Sequence, residues 1–199
     1  MRPAYVLILL GVVALGGCGT FSAPKSDTFY RLPAGATAAG SAIDDTAPVV
    51  YVPLFTASDV HAGRALVFAH DDGVALEQYT YHYWADSPRV MLQQALVAHL
   101  SNAGVGRMAL EPAANVAYTI NGRIQKFERR SAGKHGTAEV VLEFDVVAGD
   151  AVVAEFSRSY ARAVILGDDA VATCAVALGQ SAQEILAEFA RDLRAHWSQ

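Results

Sequence analysis

The sequence predicts an α+β domain, an antiparallel or mixed sheet with two main helices packed on one of its faces. Two observations carry that reading. Short runs of β-branched and aromatic residues, several alternating apolar with polar, recur on both sides of position 90. Two other segments, after Ser87 and before the C-terminus, repeat apolar residues every three or four positions instead. The 199-residue length, 53% hydrophobic, suits one domain with a real core.

The chain opens with Arg2, an apolar run from Ala4 to Leu15, and then Gly16-Gly17-Cys18. That order of charge, apolar stretch and small residues is a secretory signal. The run is about half the ~20 residues needed to span a bilayer. Leu15-Gly16-Gly17-Cys18 resembles the lipobox of bacterial lipoproteins, in which the cysteine thiol accepts a lipid before cleavage. Residues 1–17 are therefore read as a lipoprotein signal peptide, 18–28 as a lipidated tether and 29–199 as a single periplasmic α+β domain. Gly19, rather than an aspartate, follows the cysteine; by resemblance to enteric lipoproteins this implies the outer membrane, with the domain on its periplasmic face.

The elements follow in order. Phe29-Tyr30-Arg31-Leu32 is a short strand, and Pro33 to Pro48, poor in large side chains, a loop. Val49 to Phe55 reads as a strand buried on both faces, ended by Pro53. Ala65–Ala69 and Leu76–Trp84 are strands around the turn His70-Asp71-Asp72-Gly73. In the second, alternation predicts that Tyr79, Tyr81 and Tyr83 share a face, an amphipathic wall suited to a lipid or a partner chain. Ser87 and Pro88 start a helix whose stripe is Leu92, Leu96 and Leu100, and Asn102-Ala103-Gly104 ends it.

Val116 to Phe127 is a strand that contains Asn121-Gly122. This pair usually marks a hairpin. Here Val116, Tyr118, Ile120 and Ile124 keep one parity through it, which predicts a single long strand with a small or bulged position. Ser131 to Gly136 is the turn. Val140, Leu142, Phe144 and Val146 line one face of the next strand, opposite Glu139, Glu143 and Asp145. Gly149-Asp150 predicts a two-residue hairpin into a strand from Val152 to Leu166. Ala182, Ile185, Leu186, Phe189, Leu193 and Trp197 form the stripe of a closing helix from about Val171.

The chemistry that would make an enzyme is missing from the pattern. The charge is −5, and loss of Arg2 makes the mature chain one unit more acidic. Without a basic cluster nucleic acid is not an expected partner. His70-Asp71-Asp72 offers cation ligands, but turn chemistry explains it, and no metal site is expected. Ser181 lacks the second glycine of a nucleophile elbow and lies in a helix. Cys174, left single once Cys18 carries lipid, reads as a small core thiol. Asp71/Asp72 and Asp168/Asp169 are loop doublets whose side chains point apart. No catalytic residue and no cofactor beyond the covalent lipid is expected.

Taken together, Cys18, Phe29-Tyr30-Arg31-Leu32, the Val49 to Leu54 strand, and Tyr83-Trp84-Ala85-Asp86-Ser87-Pro88 leading into Leu92, Leu96 and Leu100 resemble a known family. It is the auxiliary lipoproteins of ABC-type transport systems that work with MCE-domain proteins. The resemblance implies a non-catalytic docking or gating subunit, alone or as a homo-oligomeric ring. It would be lipid-anchored at the outer membrane and serve transport of a lipid or hydrophobic solute with an MCE-domain partner. The alternative reading is an envelope assembly or scaffold lipoprotein, similar to lipopolysaccharide-assembly lipoproteins.

Overall fold

The structure is a computed structural model that describes residues 25–35, 46–113, 115–131 and 133–198. The predicted signal peptide, Cys18, most of the predicted tether and the middle of the Pro33 to Pro48 segment lie outside the described residues. In chain order the elements are β1 (Thr28–Tyr30), β2 (Val49–Tyr51), β3 (Thr56–Ala57), α1 (Asp59–Ala62), β4 (Ala65–Ala69), β5 (Leu76–Trp84), α2 (Pro88–Asn102), β6 (Arg107–Ala109), β7 (Val116–Arg130), β8 (Thr137–Ala148), β9 (Phe156–Ile165) and α3 (Val171–Trp197). The fold is α+β, with nine strands in one mixed sheet.

β7 is the spine. From Tyr118 to Arg130 it pairs antiparallel with β8, which pairs antiparallel with β9. Along its other edge run β2, β3 and β4, one after another and all parallel to it. Residues 49–69 thus follow β7 as one interrupted strand. Pro53, with no N–H to donate, breaks it first, and α1 loops out of it second. The sequence predicts an antiparallel or mixed sheet, and these pairings make it mixed. Hydrophobic period reports that a segment is a strand, not which way its neighbour runs. The α2 crossover makes the parallel arrangement possible.

Asn121-Gly122 lies inside β7, paired with Asp145 and Phe144. The bulge falls between Ile124 and Lys126, not at the glycine. Gly122 is there for space: a Cβ would lie 2.5 Å from the Phe55 ring. Phe55 is fully buried and packs edge-on against Phe144, 5.9 Å between centroids.

The core lies between the sheet and the two long helices. Ile120, Ile124 and Phe127 of β7, Val140, Leu142, Phe144 and Val146 of β8, Leu92, Leu96 and Leu100 of α2, and Leu178, Ala182, Ile185, Leu186, Phe189 and Leu193 of α3 join one buried cluster. Phe189 stacks on Phe144 at 4.1 Å. Each such side chain withdrawn from water contributes about 1.5–3 kcal/mol.

Helix ends differ from the sequence reading in one respect. The Ser87 side chain makes no capping bond; its carbonyl accepts from Val90 and Met91 instead. At α3 the cap sits earlier than the first turn. Asp168 accepts from the Ala170 N–H at 2.9 Å and the Thr173 hydroxyl at 3.1 Å, and these bonds hold its carboxyl below the usual carboxylate range. Gly104 takes positive φ just past α2, as a helix-terminating glycine does. The β8–β9 connection is longer than predicted. Gly149 and Asp150 do turn the chain, closed by Ala151 N–H to Ala148 O. But β9 starts only at Phe156, so residues 149–155 form the tip.

Candidate functional site

The tyrosine wall does not exist as one surface. Tyr81 has φ +68°, and β5 takes five steps, Gln78 to Tyr83, where β4 takes two, Val67 to Ala65. The bulge inverts the alternation. Tyr79 faces the helix layer: it packs at 4.7 Å on Phe68 and accepts a hydrogen bond from Arg129 at 3.3 Å. Tyr83 faces the other way, since its neighbour Trp84 is buried in the core. Its ring meets Phe29 at 5.8 Å, across the β1–β5 pairing of Phe29 with Tyr83. Tyr81 stands exposed between them. A period-two reading cannot see a three-residue bulge.

What the fold does build at this edge is a cation–aromatic surface. The Arg64 guanidinium lies over the Phe29 ring, 5.4 Å from its centroid, while its Nε–H donates to the Trp84 carbonyl at 3.1 Å. Phe29 remains 55% exposed. Phe29, Tyr30, Arg31, Arg64 and Ala85 line one shallow hollow; Asp27, Phe29, Arg64, Ala65 and Tyr83 line its neighbour. Arg64 and Phe29 are 35 positions apart, so no local pattern announces the pair.

Two buried polar groups tie elements of the interior together. His61 of α1 is buried, with Nε2 at 2.7 Å from the equally buried Glu128 carboxylate and Nδ1 at 2.9 Å from the Ser58 hydroxyl. Hydroxyl, imidazole and carboxylate in a chain also describes a hydrolase relay. Here the serine is the residue just before the four-residue α1, and the chain clips that excursion to β7. Arg129 is a second anchor. Its guanidinium donates to the Tyr79 hydroxyl, the Asp169 carbonyl and carboxylate, and the His135 carbonyl, tying β5, the 131–136 turn and the start of α3 together. Its Nε is buried without a partner among the described residues.

The remaining candidates are placed plainly. Cys174 is buried in α3, and burial pushes its thiol up to about 11, against an opposing pull from Arg129. Ser181 is buried in the same helix. His70 bonds Glu77 at 2.7 Å, and Asp72 accepts from Val74 N–H at 2.9 Å, so both serve the turn. No group of three or more metal-ligating side chains occurs among the described residues. No helix among them is long and apolar enough to cross a membrane.

At the far end of the sheet the β8–β9 tip leaves Val152 98% and Val153 78% exposed. The register puts this tip beside the start of β7, because Tyr118 pairs with Ala148. β1 runs opposite to β7, through β5 and β4, and its N-terminal side points toward the other end of β7. The chain therefore enters the domain at one end of the sheet and the apolar tip projects from the other.

Comparison with known proteins sharpens the reading. Solved structures share the fold, two of them over most of this chain. One, described as an uncharacterized protein, is 20% identical with TM-score 0.67 and covers 84% of this chain and 99% of its own. The other is protein XCC0632 from Xanthomonas campestris, of the DUF330 family, 18% identical with TM-score 0.68, covering 82% and 92%. A PelC dodecamer from Paraburkholderia phytofirmans, 14% identical with TM-score 0.49 and covering 78% and 92%, is too loose a likeness to carry an argument. No curated protein matches at a significant level. The family model for the ABC-type transport auxiliary lipoprotein component matches residues 30–190, from β1 through most of α3. That span takes in every element but the last turns of α3 and the first residues of β1, and the chain belongs to the ABC-type transport auxiliary lipoprotein family.

Proposed function

We propose that the protein is a non-catalytic accessory subunit of an ABC-type transport system that moves lipid or another hydrophobic solute. It is anchored through lipid on Cys18 to the periplasmic face of the outer membrane and docks onto an MCE-domain partner. The family match over residues 30–190, starting twelve residues after the lipobox cysteine, carries this reading. The interior supports it. The polar chains at His61 and Arg129 hold elements together, and two exposed patches, the Val152–Val153 tip and the Phe29–Arg64 edge, are apolar or cation–aromatic, suited to contacts rather than chemistry. Docking falls to the Val152–Val153 tip, the apolar end remote from the tether. Two exposed valines removed from water on binding contribute about 3 kcal/mol together.

The test is affinity capture of the tagged full chain from detergent-solubilised envelopes. An MCE-domain protein is expected to co-purify, and Val152→Ser with Val153→Ser should reduce its recovery at unchanged folding. Recovery of the chain alone, with the MCE-domain protein present in the same extract, overturns the proposal.

A further inference from the structure

The described domain begins at Lys25, seven residues after Cys18. Seven residues reach at most about 25 Å. β1 itself begins at Thr28, ten residues after Cys18, so if Cys18 carries the anchor, as proposed above, the β1 edge stays within about 35 Å of the bilayer.

Its surface differs from the rest of the molecule. Many exposed cations elsewhere meet carboxylates: Lys126 and Arg130 on Glu139, Arg158 on Asp192, Arg162 on Glu184 and Glu188. Arg107, Lys134, Arg191 and Arg194 do not among the described residues, but none of those lies over an exposed aromatic ring as Arg64 does. Arg31 and Arg64 have no carboxylate partner among the described residues, and Lys25 is exposed close by in sequence. Asp27 and Asp86 line the same and the adjoining hollow without an ion pair to either arginine among the described residues. Arg64 is held in place by the Trp84 carbonyl and the Phe29 ring, leaving its terminal nitrogens for an outside acceptor. A guanidinium fork matches a phosphate. Phe29 is 55% exposed and Tyr83 partly so, and aromatic rings at a surface facing a bilayer settle at headgroup level.

We infer that the β1 edge (Lys25, Phe29, Arg31, Arg64 and Tyr83) binds anionic phospholipid headgroups of the leaflet that holds the anchor. The domain then lies against its own membrane by a second contact, and the Val152–Val153 tip points away from it. One acyl anchor fixes distance; two contacts fix orientation.

The test is co-sedimentation of the whole mature chain carrying Cys18→Ser, so that binding does not depend on acylation, with phosphatidylcholine vesicles lacking or containing phosphatidylglycerol. Binding is expected to rise with phosphatidylglycerol, to weaken at raised salt, and to fall about fivefold for each of Arg31→Gln and Arg64→Gln. Arg191→Gln, in the helix layer, should leave it unchanged. Equal binding to both vesicle types, an unaltered Arg31→Gln/Arg64→Gln variant, or an equal loss with Arg191→Gln overturns the inference. None of these outcomes bears on lipidation, which is read separately from the mass of the native protein.

Discussion

Gly122→Ala probes the central strand with a result whose sign is diagnostic. An alanine in an open strand position stabilises relative to glycine by about 0.5–1 kcal/mol, because glycine loses more backbone freedom on folding. At position 122 the new methyl would sit 2.5 Å from two carbons of the Phe55 ring. That ring cannot swing aside freely, being fully buried and edge-on to Phe144. Overpacking of this kind costs about 1–3 kcal/mol, so the net change is a loss of roughly 1–2 kcal/mol. For a domain of this size that lowers Tm by about 2–8 °C. Phe55→Leu should relieve the clash, making the double variant less destabilised than the two singles summed, with a coupling of about 1 kcal/mol. Urea unfolding of the four proteins, followed by circular dichroism, measures it. A Gly122→Ala protein more stable than the parent, or strict additivity with Phe55→Leu, refutes the reasoning.

Three further outcomes are expected. Arg129→Met should cost about 2–3 kcal/mol in denaturant unfolding, since charge-assisted bonds to the His135 carbonyl and Asp169 disappear together. Glu128→Ala should cost a similar amount by leaving the buried His61 Nε2 unpaired, while Glu128→Gln recovers much of it, as read from Tm. Cys174 should resist a thiol reagent at pH 8 in the folded state and react at once when unfolded. Its folded pKa of about 11 lies above the ordinary 9.0, so the folded state keeps its proton longer. The stability this contributes is whole below pH 9 and lost as pH rises toward 11.

The elements legible in sequence were those with a long, clean period. α3 at Val171–Trp197, β4 at Ala65–Ala69, β5 at Leu76–Trp84, and the in-line reading of Asn121-Gly122 all follow from parity or from the 3.6-residue repeat. β3, α1 and β6 are too short to carry a period, and they exist because β7 and β2 offer edges for pairing. Strand direction was illegible because hydrophobic alternation is the same whichever way the neighbouring strand runs. The surface was harder. Tyr79, Tyr81 and Tyr83 obeyed alternation on paper and lost it to a bulge at Tyr81. Arg64 over Phe29, and His61 on Glu128, join positions 35 and 67 apart, beyond any local signal.

The proposed function requires a domain tied to a bilayer by its first mature residue. Intact-mass analysis of protein extracted from its own envelope reads that directly. The expected product begins at Cys18 and carries diacylglyceryl and acyl mass on that residue. A polypeptide beginning at Met1, unmodified and recovered in the soluble fraction, would contradict it.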